Sequence, residues 1–380
     1  MNKQYWIAGY NALQRIGEVK NRYAPKKTLL VTGKESFSAC GAKTIVDRFF
    51  RPNEIVHFND FAVNPRLEDG EHGASLAIES DIDLILAIGG GSAIDIAKLI
   101  KALISANGNS EALVRAEVPV VANTIPLIAV PTTAGSGSEA THFAVAYIGK
   151  DKFSVAAPSL LPTDCILDGS LLISASPYQR AINGLDALAQ AIEGCWAVAS
   201  TVDSRRKSLQ AIELLVEHLP KIINGSNEDD LQSVMLAANL AGRVINVTKT
   251  TAAHAFSYAF TSFYGVPHGH AVWLTLPEIF AIHHQCAALQ LNDPRGYEHV
   301  AQVMQNLATC LKLGNSDDSD SFAVQLKAFM RRLGVEPDME LMGISTVEQR
   351  AVSAQRVNVQ RLANNPVVLG EKEVSRVFNL

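Results

Sequence analysis

The chain has 380 residues, 48% of them apolar and 19% charged, with 33 basic against 38 acidic side chains and a net charge of −5. This length and apolar content exclude both a disulfide-stapled mini-domain and a disordered chain, and predict a globular protein of two domains. The longest basic run is Arg205-Arg206-Lys207, so neither nucleic acid nor a membrane surface is expected as a partner, and a small-molecule substrate is.

Residues 1–6 lead into no long apolar stretch, and no segment has the roughly 18 apolar residues of a spanning helix. Cys40, Cys165, Cys195, Cys286 and Cys310 are scattered without a C-x-x-C spacing. A cytoplasmic protein with reduced thiols is the expectation.

Through residue 176, short β-branched runs alternate with amphipathic segments. Thr28–Thr32 stops at Gly33, residues 83–88 stop at Gly89-Gly90-Gly91, and residues 126–130 stop at Pro131. Continuous apolar runs of this length, each followed by a helical period, read as buried parallel strands in βαβ units. Residues 1–176 are therefore predicted to form a doubly wound α/β nucleotide-binding domain. From Pro177 onward, windows of 3.6-residue periodicity at 181–198, 204–219 and 231–247 predict an all-helical domain over 177–380. Residues 313–321, with their Ser-Asp run, read as a surface loop.

Gly89-Gly90-Gly91-Ser92 lies between a predicted strand and a run of helix formers at 93–103. Glycines let backbone N–H groups approach a diphosphate, and the helix that follows aims its positive end at the same spot. The pattern is not G-x-G-x-x-G. A second loop, Pro131 to Glu139, carries Thr132, Thr133 and Ser138 at the end of the third strand. Where dinucleotide folds place an acid after the second strand, this chain has Gly33 and Lys34, which predicts acceptance of NADPH in preference to NADH. Asp186 and Gln190 are i and i+4 on one helix face, and His254 and His268 follow. One carboxylate and two imidazoles suit a divalent metal such as Fe2+ or Zn2+. Each signal also has a plainer reading as a strand-to-helix turn, a polar loop or a structural histidine.

Taken together, Gly89-Gly90-Gly91-Ser92-x-x-Asp95-x-x-Lys98, Pro131 to Glu139, Gly184-x-Asp186-Ala187 and His254 followed by Pro267-His268-Gly269 resemble the iron-containing (group III) alcohol dehydrogenase family, relatives of dehydroquinate synthase. The resemblance spans residues 89–270 and implies an NAD(P)-dependent alcohol dehydrogenase or aldehyde reductase. It implies that Gly90, Gly91 and Ser92 hold the cofactor diphosphate, with Thr132, Thr133 and Ser138 along the nucleotide. By the same resemblance Asp95 lies near the nicotinamide and substrate, and Lys152 reaches the nicotinamide ribose. Asp186, His254 and His268 are the implied metal ligands. Gln190 stands where the family normally has a fourth, His ligand, and Tyr258 where members often carry another His. Tyr258 is a candidate for hydrogen-bonding the substrate oxygen and His270 for a proton relay. A homo-oligomer, a dimer, is expected.

Within the family, Val31 to Lys34, Asp186 to Glu193 and Thr248 to Tyr258 look most like the phosphonoacetaldehyde reductases of phosphonate biosynthesis. A helix continued through residues 242–251 would bring Lys249 within about two turns of His254 at roughly 1.5 Å per residue. Lys249 and Arg243 could there hold the anionic end of a short aldehyde, or could pair with acidic neighbours on a solvated face. The expected function is metal-dependent, reversible reduction of such an aldehyde by NADPH or NADH. The alternatives are oxidation of a polyol or sugar-acid hydroxyl in cell-surface sugar synthesis, a dehydroquinate-synthase-like lyase, and a metal-free nucleotide-binding relative.

Overall fold

Apolar, β-branched runs punctuated by Gly or Pro form most of the strands. The computed structural model describes residues 4–149, 151–286, 289–314, 319–357 and 362–380. Its strands are β1 (Tyr5–Ala8), β2 (Thr28–Thr32), β3 (Ile55–Phe58), β4 (Leu84–Gly89), β5 (Leu127–Pro131), β6 (Phe143–Ile148), β7 (Asp151–Ala156) and β8 (Asp164–Leu167). Six make a parallel sheet in the order β1-β8-β5-β4-β2-β3, and β6 and β7 form an antiparallel pair. The three strands predicted from sequence are β2, β4 and β5, the latter two displaced by one residue.

Helices α1 (Ile16–Tyr23), α2 (Ser36–Ala39), α3 (Ala42–Phe49), α4 (Leu67–Glu79), α5 (Gly91–Leu103) and α6 (Ser110–Val114) accompany the sheet. Successive strand residues point to opposite faces. Leu29, Val31, Ile85 and Ala87 accordingly pack with Leu67, Ala74, Leu99 and Ile100 of α4 and α5, while Leu30, Leu86, Ile88 and Val130 pack with Ile16, Val19, Ala42 and Val46 of α1 and α3. Strands β2, β4, β5 and β8 are buried at every residue, as strands covered on both faces should be. β3 lies on one side of β2 and β4 on the other, so strand order reverses there. The carboxyl ends of β2 and β4 thus form the switch point at which such sheets bind ligands.

Packing divides the chain into two units, Met1–Ala175 with Leu231–Asn239, and Ser176–Asp230 with Leu240–Leu380. The helices from Ser176 onward are α7 (Pro177–Trp196), α8 (Val202–Ile222), α9 (Glu228–Thr248), α10 (Ala252–Tyr264), α11 (His268–Trp273), α12 (Leu276–His284), α13 (Tyr297–Cys310), α14 (Asp320–Arg332), α15 (Val347–Gln355) and a closing helix Glu371–Phe378. Among the described residues the only β pairing in this second unit is the isolated bridge Leu291–Val367. α7 starts at Pro177, with the Ser176 side chain accepting from Gln179 N at 3.2 Å, an N-cap followed by proline at the first helical position. From Ala181 it is buried on nearly every side.

Two expectations are corrected. The helix expected through residue 251 ends at Thr248, and Lys249 takes φ 61° and ψ −178° before α10 begins at Ala252. Asn364 Nδ2 donates to the carbonyls of Thr248 (2.8 Å) and Thr250 (3.3 Å), so bonds from a distant segment replace the helical ones. Of the loop predicted at 313–321, residues 315–318 lie outside the described residues, and α14 has already begun before Ser321. No disulfide links the five cysteines, and among the described residues no helix is long and apolar enough to cross a membrane.

Candidate active site

In the first unit the loops after β2, β4 and β5 leave the sheet side by side, because Thr32 is in register with Ile88 and Gly89 with Pro131. A Cβ on Gly89 would stand 2.6 Å from Ala93 Cβ, one on Gly90 3.3 Å from Thr133 Oγ1, and one on Gly91 2.7 Å from Ser136 Oγ. The glycine run therefore lets the Thr/Ser loop close onto the start of α5. No side chain caps the first turn of α5, which begins at the switch point, an arrangement suited to a diphosphate. The Ser92 hydroxyl donates to Val63 O, and Thr132 N donates to Gly89 O at 3.0 Å. Lys34 is exposed and paired with Asp60.

Asp95 accepts from the Ser138 hydroxyl and, at 3.1 Å, from Val145 N. Burial pushes its carboxyl pKa up, against the opposing charges of Lys98 and Lys152. Lys98 is fully buried and donates to Ser138 O, Ser138 Oγ, Thr141 Oγ1 and Phe143 O. Asp95, Lys98 and Ser138 thus form one polar cluster beneath β6. Lys152 is an exposed residue of β7.

In the second unit Asp186, His254 and His268 converge, their ligand atoms all within 4.8 Å of one another. His254 Nε2 lies 3.3 Å and His268 Nε2 3.9 Å from Asp186 Oδ1, and the two rings meet edge-on with centroids 5.4 Å apart. Tetrahedral N and O donors at about 2.1 Å from an ion stand roughly 3.4 Å apart, so the set fits a divalent Fe2+- or Zn2+-type ion. Gly269 makes the convergence possible, because a Cβ there would stand 2.0 Å from Ile182 O and 3.0 Å from Asp186 Cβ. Only glycine lets α11 press this closely on α7 and carry His268 to Asp186.

Asp186 and His254 are buried, and the His268 side chain is 38% exposed. Burial alone would raise the Asp186 carboxyl, but the hydrogen bond from His254 and the charges of His268 and His254 hold it below its ordinary value. Burial also pulls the His254 imidazolium down, yet the flanking Glu193 and Asp186 carboxylates outweigh it and push His254 up to about 9. An ion entering here displaces a proton. Gln190, one turn beyond Asp186 and 3% exposed, hydrogen-bonds to the Asp186 carboxylate.

Tyr258 sits one turn past His254 on α10 and is half-buried. The His270 ring is engaged at both nitrogens, with Nδ1 2.9 Å from Tyr178 Oη and Nε2 2.6 Å from Glu336 O, so a relay through it requires one of these bonds to open. Arg243 lies on the last turns of α9 and Lys249, exposed, at its end. A further residue, absent from the sequence expectations, joins the site: Glu193, a fully buried carboxylate bonded to His254. Its signal was present, since 186, 190 and 193 are polar positions on one face of α7, which is otherwise apolar from Gly184 to Trp196.

The chain belongs to the iron-containing alcohol dehydrogenase family, whose model matches residues 4–169 and whose C-terminal model matches residues 180–379. It is an NAD(P)-dependent oxidoreductase with a divalent metal as second cofactor, the class that the sequence reading put ahead of a lyase. It is 33% identical over 305 residues to phosphonoacetaldehyde reductase of Streptomyces viridochromogenes, covering 78% of this chain and 75% of that one. It is 24% identical over 381 residues to the NAD-dependent methanol dehydrogenase of Bacillus methanolicus, covering 98% and 96%. The crystal structure of sulfoacetaldehyde reductase from Bifidobacterium kashiwanohense in complex with NAD+ matches with a TM-score of 0.86 over 100% of this chain and 97% of that one, at 24% identity, a likeness of fold.

Proposed function

We propose that this enzyme reduces a small anionic aldehyde, of the phosphonoacetaldehyde type, with NADPH or NADH. The carrying observation is the convergence of Asp186, His254 and His268 in a family of alcohol dehydrogenases. The similarity to a phosphonoacetaldehyde reductase supports the substrate class.

In this reading Asp186, His254 and His268 hold the metal, with Gln190 steadying Asp186 or adding its amide oxygen. Held there, the metal would supply Lewis acidity toward an aldehyde oxygen, and a bound reduced nicotinamide would supply the hydride. Gly90, Gly91 and Ser92 present backbone amides to the cofactor diphosphate, Gly33 and Lys34 face its adenosine ribose, and Thr132, Thr133 and Ser138 line the nucleotide. Asp95 and Lys152 orient the nicotinamide end, Tyr258 hydrogen-bonds the substrate oxygen, and His270 conducts its proton once its bond to Tyr178 or Glu336 opens. Arg243 and Lys249 attract the anionic end. The enzyme of this proposal is a cytoplasmic homodimer serving phosphonate biosynthesis.

Oxidation of NADPH and of NADH, followed at 340 nm over phosphonoacetaldehyde, sulfoacetaldehyde and a neutral aldehyde of similar length, tests this with added Fe2+, Zn2+ or EDTA. The anionic aldehydes should show the higher kcat/KM, and Lys249→Ala should remove roughly 10- to 150-fold of that advantage, the equivalent of a charge-assisted contact of about 1.5–3 kcal/mol. Equal kcat/KM for the neutral aldehyde would overturn the anionic substrate, and insensitivity to EDTA with no bound metal would overturn the metal's part.

A further inference from the structure

We infer that Glu193 is the positioning residue of the metal centre, selecting the tautomer of His254 that can ligate an ion. The inference rests on the reading above, in which Asp186, His254 and His268 hold the metal.

Glu193 lies on α7 two turns past Asp186, and is fully buried. A carboxylate survives such burial only if donors surround it. Its Oε1 accepts from Thr251 Oγ1 at 3.0 Å, Ala253 N at 2.8 Å and His254 N at 3.3 Å, while Oε2 accepts from His254 Nδ1. The Thr251 hydroxyl is itself oriented, because Trp196 Nε1 donates to it at 2.8 Å, leaving its proton for Glu193. Thr251 precedes α10 but makes no side-chain cap bond to that helix. Glu193, from another helix, accepts the N–H groups at its second and third positions instead. One side chain thereby anchors the backbone that carries His254 and grips the ring.

The consequence is chemical as well as steric. An ionised carboxylate only accepts, so the nitrogen facing it must bear the hydrogen. With Nδ1 protonated, Nε2 is the nitrogen left to bind an ion, and Nε2 is the atom 3.3 Å from Asp186. The opposite tautomer would place a hydrogen where the ion belongs. A carboxylate behind a ligating imidazole also raises its basicity, and losing such a partner typically costs 10- to 100-fold in metal affinity.

The test is Glu193→Gln, which keeps the shape and an oxygen for Thr251, Ala253 and His254 N but turns an N–H toward Nδ1. The metal-free variant should stay folded but melt below wild type, because the His254 imidazolium loses the charge facing it, while its Zn2+ dissociation constant, measured by chelator competition, should rise 10- to 100-fold. A lowered melting temperature with an unchanged dissociation constant would reduce Glu193 to a helix cap and overturn the inference, as would unchanged values of both. Should the variant not fold, nitrogen NMR of Zn2+-loaded wild-type protein labelled in histidine decides. Ligation of His254 through Nε2 with a slowly exchanging Nδ1 proton supports the inference, and ligation through Nδ1 overturns it. Wild-type protein that binds no divalent ion would instead overturn the metal reading itself.

Discussion

Lys34 Nζ lies 2.8 Å from Asp60 Oδ1, and the two residues follow the neighbouring strands β2 and β3 at their carboxyl ends. The sequence offered a lone cation beside the cofactor ribose, whereas the fold pairs it with an acid brought from the next strand. Asp60 raises the Lys34 pKa, and Lys34 lowers that of Asp60, so both stay charged at neutral pH. Asp60→Asn should therefore raise the ratio of kcat/KM for NADPH over NADH, and Lys34→Glu should lower it. Because both side chains are exposed, each change should be modest, up to about fivefold. A ratio unmoved by both substitutions would separate this pair from the cofactor.

Lys98 is a buried cation held by four oxygens of residues 138–143, the shortest contact being 2.5 Å to Ser138 O. Lys98→Met retains length and removes every donor, leaving buried carbonyls without their partner and Asp95 with Lys152 alone of its two compensating charges. Such losses cost about 3–5 kcal/mol. Urea unfolding should show a lower midpoint at unchanged slope, and KM for the nicotinamide cofactor should rise as the loop loosens. A midpoint within error of wild type would contradict this account.

Lys249 occupies φ 61° and ψ −178°, a region essentially reserved for glycine that costs a side-chain-bearing residue about 1–3 kcal/mol. Lys249→Gly should raise the melting temperature, while Lys249→Ala keeps the strain and should not. Both remove the ammonium, so both should lose selectivity for an anionic aldehyde to the same degree. Melting curves and paired KM values separate the two effects, and a glycine variant no more stable than the alanine one would disprove the strain.

His283 is enclosed, its ring edge-on to Trp196 with centroids 4.4 Å apart and its Nε2 accepting from Asn365 Nδ2 at 2.8 Å. Burial pushes its pKa from 6.5 down to about 3. Between those values the unfolded chain binds a proton that the folded one refuses, so stability falls as pH drops from 6.5 toward 3, by about 1.4 kcal/mol per pH unit. His283→Gln, which cannot titrate, should flatten that decline in urea unfolding measured at pH 7, 6 and 5. An unaltered slope would assign the acid sensitivity elsewhere.

Local pattern carried much of this protein. Strands β2, β4 and β5 were legible because continuous apolar runs ended in Gly or Pro, and the glycine run before α5 was legible because its context is a strand and a helix start. The helical half followed from periodicity, and Asp186 and Gln190 share a face because they are one turn apart. What tertiary structure alone decided is which distant segments meet. The place of β1 at the sheet edge beside β8 depends on non-local pairing that four residues of sequence do not specify. Periodicity ended at 247 and a helix continued to 251 was supposed beyond it, yet the helix stops at Thr248, where Asn364, more than a hundred residues away, donates to the carbonyls of Thr248 and Thr250. Lys34 gained an acidic partner, His270 lost its free nitrogens, and Glu193 acquired its role only when α10 was brought to it. His268 reaches Asp186 because Gly269 has no Cβ to hold the two helices apart. Periodicity reports which face of an element is apolar, whereas these contacts depend on close approach and on satisfying buried polar groups, which only the assembled core determines.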